Sequence, residues 1–198
     1  VSFVDFCRTR ASGENNITME VKNTFAPAKE GTKVIENSGL AQENVGVRFV
    51  SGKRGQAIVR VSCTEMIAES GWLADVGNIA KKHAMPIGVL SGSNSSIVFA
   101  MDQDHPSWYM VKAEIVGLGR GRKIEVEQIR DKAIIYCVGH YLSQDPAAEQ
   151  NVNNAITKSG IRSKPLANDF RCNYLLVVDD TDENFRQAII AANSVAAN

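Results

Sequence analysis

The chain has 198 residues, enough for one large domain or two small ones. Its 22 basic and 22 acidic residues give a formal net charge of zero, so no overall field would draw it to nucleic acid or to an anionic membrane. Hydrophobic residues make up 44% of the sequence, and no apolar run approaches the ~18 residues that a membrane-spanning helix needs. The composition predicts a soluble globular protein without a nucleic-acid or membrane partner.

The first 40 residues differ in character from the rest of the chain. Ile17–Lys22 alternates apolar and polar side chains, as a half-buried strand does, and the stretch 23–32 is rich in turn residues. Residues 35–42 form a polar linker with Asn37-Ser-Gly39 at its centre. We therefore predict a domain boundary near residue 40.

Beyond this boundary, two stretches of the chain resemble each other: Ala57–Asp102 and Lys132–Asp179. Each begins with an apolar strand, continues with a helix and a Pro-containing connection, and ends with an apolar strand that terminates in Asp; a further helix then follows. The predicted first strands and helices of the two copies are Ala57–Cys63, Gly71–His83, Ala133–Gly139 and 147–159. A tandem βαββα unit is more typical of a paired sensor surface than of a catalytic cleft.

Cysteine and histidine usage gives no sign of metal binding or catalysis. The four cysteines form no C-x-x-C pair, and three of them lie in predicted strands, where a free Cys behaves as a small apolar residue. Reduced thiols suit the cytoplasm, and the chain begins with Val and no signal-peptide pattern, like a piece of a longer protein. The three histidines have no nucleophile in triad order. We predict no catalytic residue, no metal site and a cytoplasmic location.

The glycine-rich stretch Gly117–Lys123 is similar in composition to a phosphate-binding loop. Such a loop needs a strand before it and a helix after it. Here the predicted order is the reverse, because a helix precedes it and the strand Ile124–Glu127 follows. The sequence therefore predicts a solvated basic linker.

A family resemblance begins in the N-terminal segment. Val21-Lys-Asn-Thr-Phe25, Pro27 and Gly31-Thr32 resemble the stretch that joins the kinase domain of aspartate kinases to their regulatory region. Gly71-Trp-Leu-Ala74 with its helix, and Ser91-Gly-Ser93 with the strand to Asp102, resemble the first ACT domain of the lysine-sensitive type. The resemblance extends to the second ACT domain through Lys123–Glu127 and Ala133–Gly139. It covers nearly the whole chain from Ile17 onward.

The resemblance implies an α+β fold of two ferredoxin-like βαββα (ACT) modules in tandem, whose sheets pair in a dimer. Residues 1–40 would be the end of the kinase domain and a linker, 41–122 the first ACT domain and 123–198 the second. Aspartate kinases phosphorylate aspartate with ATP and magnesium, the first step toward lysine, threonine and methionine. The catalytic half precedes the matched region, so the resemblance implies a fragment that carries no cofactor and is inactive alone.

The resemblance also implies an amino-acid effector, such as lysine or threonine, bound near the first helix of the first module. A helix N-terminus suits the ligand carboxylate, Ser70 could cap the helix, and Gly71 would allow close approach. An ordinary helix cap without a ligand is the alternative. The candidate effector-binding residues are Ser70, Gly71, Trp72, Leu73, Ala74, Gly88, Ser91, Gly92, Ser93 and Asn94.

Two departures from the lysine-sensitive pattern keep the effector open. Gly88 and Asn94 stand where the family carries carboxylates, and a lysine ammonium needs an opposite charge close by. Asp75 could receive an amine, or could simply complement the helix dipole. In the second copy Leu166–Phe170 replaces the family's effector turn, which favours a role in assembly, although His140-Tyr141 lies in an equivalent loop.

Three alternatives remain beside the regulatory region of a kinase chain. The first is a stand-alone regulatory subunit that assembles with separate catalytic chains. The second is a structural oligomerisation module that has lost its ligand, which the residues at Gly88 and Asn94 favour. An independent enzyme is the third.

Overall fold

The computed structural model describes residues 19–22, 25, 28, 30, 32–34, 46–64, 71–119, 121–139, 142, 147–168 and 173–195. The chain divides into two compact units, Val1–Glu43 and Asn44–Asn198. In the first unit, β1 (Met19–Val21) pairs antiparallel with β2 (Thr32–Val34). The alternation of Ile17–Lys22 predicted β1. The strand β2 was not predicted, and it begins at Thr32, the last residue of the turn-rich stretch.

The second unit contains six strands and four helices in its described part. In chain order they are β3 (Phe49–Ser62), α1 (Trp72–Lys82), β4 (Val89–Ser93), β5 (Ser96–Asp102), α2 (Trp108–Gly117), β6 (Glu125–Val138), α3 (Ala148–Lys158), β7 (Ser163–Asn168), β8 (Asn173–Asp179) and α4 (Asp182–Asn193). The strands form one antiparallel sheet in the order β4-β5-β3-β6-β8-β7. This confirms the predicted α+β fold with two βαββα modules in tandem.

The strand registers show that the two modules repeat each other closely. Gln56 of β3 lies opposite Asp102, and Lys132 of β6 lies opposite Asp179, so these positions are equivalent. Three residues before Asp102 and Asp179 are Phe99 and Leu176, which are therefore also equivalent. Both side chains are fully buried. The first module is β3 to α2 and the second is β6 to α4.

Each module has its own apolar core between the sheet and its two helices. The first core includes Val59, Trp72 and Phe99, and the second includes Ile135, Val152 and Leu176. Val50, at the start of β3, belongs to the second core, and Ile124, just before β6, belongs to the first. Each long strand therefore helps to build both modules.

Both long strands begin earlier than the apolar runs indicated. The sequence predicted strands from Ala57 and Ala133 and a separate strand at Ile124–Glu127. In the structure β3 starts at Phe49, and β6 runs without a break from Glu125 to Val138. The apolar pattern of β3 is interrupted at residues 52–55, Gly-Lys-Arg-Gly. At the same place the register between β3 and β6 shifts, between Lys53 and Gln56. A bulge of this kind breaks the two-residue period on which the prediction rested.

The Pro-containing connections are the edge strands of the sheet. Pro165 lies in β7, which pairs only with β8, so its missing N–H costs no ladder hydrogen bond on the open side. The sheet curls enough for the edge strands β4 and β7 to come into contact. A third apolar cluster, with Ala100, Ile134 and Leu175, lies on the face without helices.

Both tryptophans and both described cysteines belong to the two apolar cores. Trp72 and Trp108 are buried, as expected for the first residues of two packed helices, whereas Tyr109 is 82% exposed. Cys63 and Cys137 are both buried. Burial raises the pKa of the Cys137 thiol to about 11. Cys7 and Cys172 lie outside the described residues.

Candidate functional site

A cavity of about 390 Å³ lies between the N-terminus of α1 and the β4–β5 hairpin. Seven of the ten predicted effector-binding residues line it: Gly71, Trp72, Leu73, Ser91, Gly92, Ser93 and Asn94. Leu90, Ser96 and Ile97 complete the lining. The fold thus brings together two segments that are some twenty residues apart in the sequence.

Gly71 shapes the helix side of the cavity. It is the N-cap residue of α1 and has a φ of 99°, in the left-handed region that other residues avoid. No described side chain caps the helix at this point. The first turn of α1 thus begins at the cavity, where its backbone N–H groups and the positive end of the helix dipole favour an anionic group.

The hairpin side of the cavity carries hydroxyl groups. β4 and β5 are joined by a two-residue turn, Asn94-Ser95, with Ser93 opposite Ser96. The Oγ atoms of Ser93 and Ser96 lie 2.9 Å apart, and the Ser95 N–H donates to Ser93 Oγ at 3.4 Å. A Cβ on Gly92 would come within 2.7 Å of the Ser96 carbonyl oxygen, so this close hairpin requires glycine.

The lining is apolar and neutral. Trp72, Leu90 and Ile97 supply hydrocarbon surface, while the serines and Asn94 supply uncharged polar groups. Among the described lining residues, none carries an ionisable side chain. The cavity can therefore hold a small molecule with an anionic end near Gly71 and a neutral body beside the hairpin.

Two predicted residues lie elsewhere, and a third is not described. Ala74 is exposed on the first turn of α1 and does not line the cavity. Gly88 lines a separate cavity of about 370 Å³ at the β4–β7 contact, where its N–H donates to the Ala100 carbonyl at 2.9 Å. Ser70 lies outside the described residues. Asp75, the alternative amine acceptor, is exposed in the first turn of α1.

Leu90, Ser96 and Ile97 were missed as lining residues. The sequence prediction confined the hairpin side of the site to the turn Ser91–Asn94, so it did not include them. A period of two along the strands would have found two of them, because Leu90 and Gly92 share one face of β4, and Ile97 lies directly opposite Gly92.

The second module does not repeat this cavity's chemistry. Ala148 is equivalent to Trp72, Glu149 to Leu73 and Tyr174 to Ile97. Tyr174 is buried, and its hydroxyl oxygen accepts a hydrogen bond from Asn153 Nδ2 at 2.7 Å. His140 and Tyr141 lie outside the described residues.

The remaining sequence candidates have structural partners. His83 is the C-cap of α1, and its Nε2 lies 2.7 Å from Glu114 Oε1 on α2. Lys82 donates to both carboxylate oxygens of Glu114 at 2.9 Å, and the hydrogen bonds to Lys82 and then His83 lower the pKa of this carboxyl. In the basic linker, Arg122 N donates to Gly119 O at 2.8 Å, a turn between α2 and β6.

In the part of the chain that is described, no cluster of His, Cys, Asp and Glu could hold a metal ion. Within those same residues, no helix has the length and apolar character to cross a membrane.

Taken together, these observations define a fold of two tandem βαββα modules of the ACT type, with a cavity at the first helix of the first module. No protein-family model matches the sequence, and no curated protein matches it. Solved structures do match. The aspartate kinase of Clostridium acetobutylicum matches with a TM-score of 0.80 at 15% identity, over 100% of this chain and 45% of that one. The chain thus spans less than half of that enzyme.

Two further structures support the same fold. The ligand-free regulatory subunit of aspartate kinase from Thermus thermophilus matches with a TM-score of 0.62 at 13% identity, over 77% of this chain and 99% of that one. E. coli aspartokinase III, in complex with lysine and aspartate, matches with a TM-score of 0.62 at 18% identity, over 84% of this chain and 36% of that one. The structural neighbours are therefore aspartate kinases and their regulatory domains, and the likeness defines the fold.

Proposed function

We propose that this chain is the regulatory region of an aspartate kinase, and that its first module binds an amino-acid effector. The observation that carries this proposal is the cavity at Gly71, which gathers seven predicted residues at a helix N-terminus. The match to a separate regulatory subunit over nearly its full length supports a regulatory rather than a catalytic role. The catalytic half of the parent kinase would supply ATP and Mg²⁺ binding, and this chain would be inactive alone.

The effector's carboxylate would lie at the first turn of α1. A helix dipole contributes about 0.3–1 kcal/mol to such an interaction. The ligand's side chain would lie against Trp72 and the β4–β5 hairpin. Since the described lining is neutral, we favour an effector with an uncharged side chain, such as threonine, over lysine. The lysine complex of E. coli aspartokinase III keeps lysine as the alternative.

Thermal unfolding with single amino acids tests this proposal. A ligand at about 100 times its Kd adds about 2.7 kcal/mol to the free energy of unfolding. We expect a rise in Tm with threonine, a smaller one or none with lysine, and loss of the rise in Ser93→Ala. Ser163→Ala, in β7 and outside the cavity, is the matched control and should keep it. No rise with any proteinogenic amino acid would contradict effector binding.

Assembly is the second candidate function. Ala100, Ile134 and Leu175 on the helix-free face are already buried within the chain. The exposed apolar side chains Leu73, Tyr109 and Met110, on α1 and α2, are surface that a second copy could cover. This favours a homodimer, with the kinase domain of the parent chain or a separate catalytic chain as a further partner. Light scattering would measure the oligomeric state. A dimer that no amino acid alters, together with a Tm that no amino acid raises, would favour a ligand-free assembly module.

In the effector-binding case, control would be a population shift. The effector would stabilise one arrangement of the modules and so change the activity of the attached kinase domain. The location would be cytoplasmic, where the amino acids of this pathway are made.

A further inference from the structure

A second recess, of about 330 Å³, lies on the helix-free face of the sheet. Its floor is apolar and includes Ile58, Val98 and Val177, which come from three different strands. Its rim includes Lys132, Arg162, Lys164 and Asp179. The recess is on the opposite side of the sheet from α1, so it is separate from the cavity at Gly71.

The rim carries an excess of positive charge in a chain whose net charge is zero. The Lys132 ammonium is paired with the Asp179 carboxylate. Arg162 and Lys164 are exposed and form no ion pair with any residue that the structure describes. Arg162 directly precedes the edge strand β7 and Lys164 lies in it, and both side chains line the recess.

The repeated fold does not require these cations. The register makes Lys132 equivalent to Gln56 and Lys164 equivalent to Val89. By the same register Arg162 is equivalent to Ile87. The first module thus has uncharged residues at all three positions. Like charges on one sheet face repel each other, and the first module has no counterpart of the repulsion between Arg162 and Lys164.

We propose that this recess binds a small organic anion with an apolar body. The anionic head, a carboxylate, sulfonate or phosphate, lies between Arg162 and Lys164, and the body lies on Ile58, Val98 and Val177. The volume is within the usual range for small-molecule sites, which begins near 300 Å³, and an apolar floor with a few polar groups is their usual chemistry. Anion binding removes the repulsion between the two cations and covers the apolar floor.

Naphthalene-2-sulfonate and the neutral 2-naphthalenemethanol are matched probes for this site. Titration calorimetry on the full chain should give at least tenfold tighter binding of the sulfonate. The double variant Arg162→Gln/Lys164→Gln should reduce this preference at least fivefold and leave the neutral probe unchanged. Lys81→Gln/Lys158→Gln, at exposed positions of α1 and α3, removes the same number of positive charges and should bind like the parent chain.

A floor variant distinguishes the recess from any other basic surface. Val98→Thr keeps the side-chain size but adds a hydroxyl, so both probes should bind more weakly while the Tm of the apo chain confirms folding. Equal affinity for the two probes, or an unchanged preference in the double variant, would overturn the proposal. Co-sedimentation with phosphatidylglycerol vesicles, without naphthalene sulfonate binding, would overturn it in favour of a lipid surface.

Discussion

Gly55 and Asp131 hold equivalent places in the two long strands, and both have left-handed backbone angles, with φ of 65° and 55°. The Gly55 N–H donates to Asp180 Oδ2 at 2.7 Å, and the Asp131 N–H donates to Gln103 Oε1 at 2.9 Å. Gln103 N donates to Gly55 O at 3.0 Å, and Asp180 N donates to Asp131 O at 2.9 Å. Four hydrogen bonds thus form a closed ring that joins the two modules at the centre of the sheet.

The ring predicts that Gly55→Ala destabilises the fold. A Cβ at Gly55 would meet no atom within 4 Å, so the cost comes from the backbone angle alone, about 1–2 kcal/mol. Gly77, in the middle of α1, also has open space but an ordinary helical angle. Gly77→Ala should therefore stabilise by about 1 kcal/mol. Urea unfolding measures both changes, and the same sign for the two variants would contradict this reading.

The shared strands predict that the two modules unfold together. Phe99→Ala in the first core and Leu176→Ala in the second should each lower the free energy of unfolding by about 2–5 kcal/mol. Because β3 and β6 belong to both cores, each variant should shift one common transition. Differential scanning calorimetry would show this, and two separate transitions in either variant would disprove it.

The lowered pKa of Glu114 predicts that the fold loses stability in acid. Lys82 and His83 lower the pKa of this carboxyl in the folded state below its ordinary value of 4.5. A lowered carboxyl pKa stabilises the fold above 4.5, and this stabilisation is lost as pH falls through the folded pKa. Glu114→Gln should therefore flatten the loss of stability below pH 4.5.

The control for Glu114 is an exposed carboxyl elsewhere. Glu30→Gln, in the N-terminal unit, should leave the slope of stability against pH unchanged. The measurement is the urea midpoint at several pH values from about 3 to 7. Identical slopes for the parent chain and Glu114→Gln would rule out the proposed role of the carboxyl.

Cys137 should resist alkylation in the folded chain. With a pKa of about 11, roughly one thiol in a thousand is ionised at pH 8, and the thiolate is the reactive form. Iodoacetamide followed by peptide mass mapping should find Cys137 unmodified in buffer and modified in 6 M urea. Rapid labelling in buffer would show that the second core is open on the timescale of the reaction.

The sequence predicted the elements whose side chains alternate regularly. Ala57–Cys63 and Ala133–Gly139 were clear because one face of each is wholly apolar. The first half of β3 was not, because Lys53, Arg54 and Gly55 interrupt the period at the ring. The start of β6 was predicted as a separate strand, Ile124–Glu127, but its continuity with Ala133–Gly139 was not. Those halves are defined by pairing with a strand about 76 positions away, as Gln56 opposite Lys132 illustrates, and a local window does not contain that pairing.

The candidate site was predictable in part for a similar reason. Family motifs identified Gly71 and Ser93, and the fold brings both to one cavity. Ile97 was missed because its place there depends on being opposite Gly92. The basic recess was missed because Arg162 and Lys164 stand out only against Ile87 and Val89, their counterparts in the first module. The predicted domain limits stay a prediction, and so does the effector-binding role of the predicted residues.

The shared strands also limit how one module can influence the other. If β3 slipped by one residue against β6, its inward and outward side chains would exchange in both modules at once, and Val50 and Val59 would leave their cores together. Sliding is therefore the most costly motion available to this sheet. A signal that passes between the modules would travel as a change in sheet twist or curvature, and the contact between β4 and β7 would close or open with it.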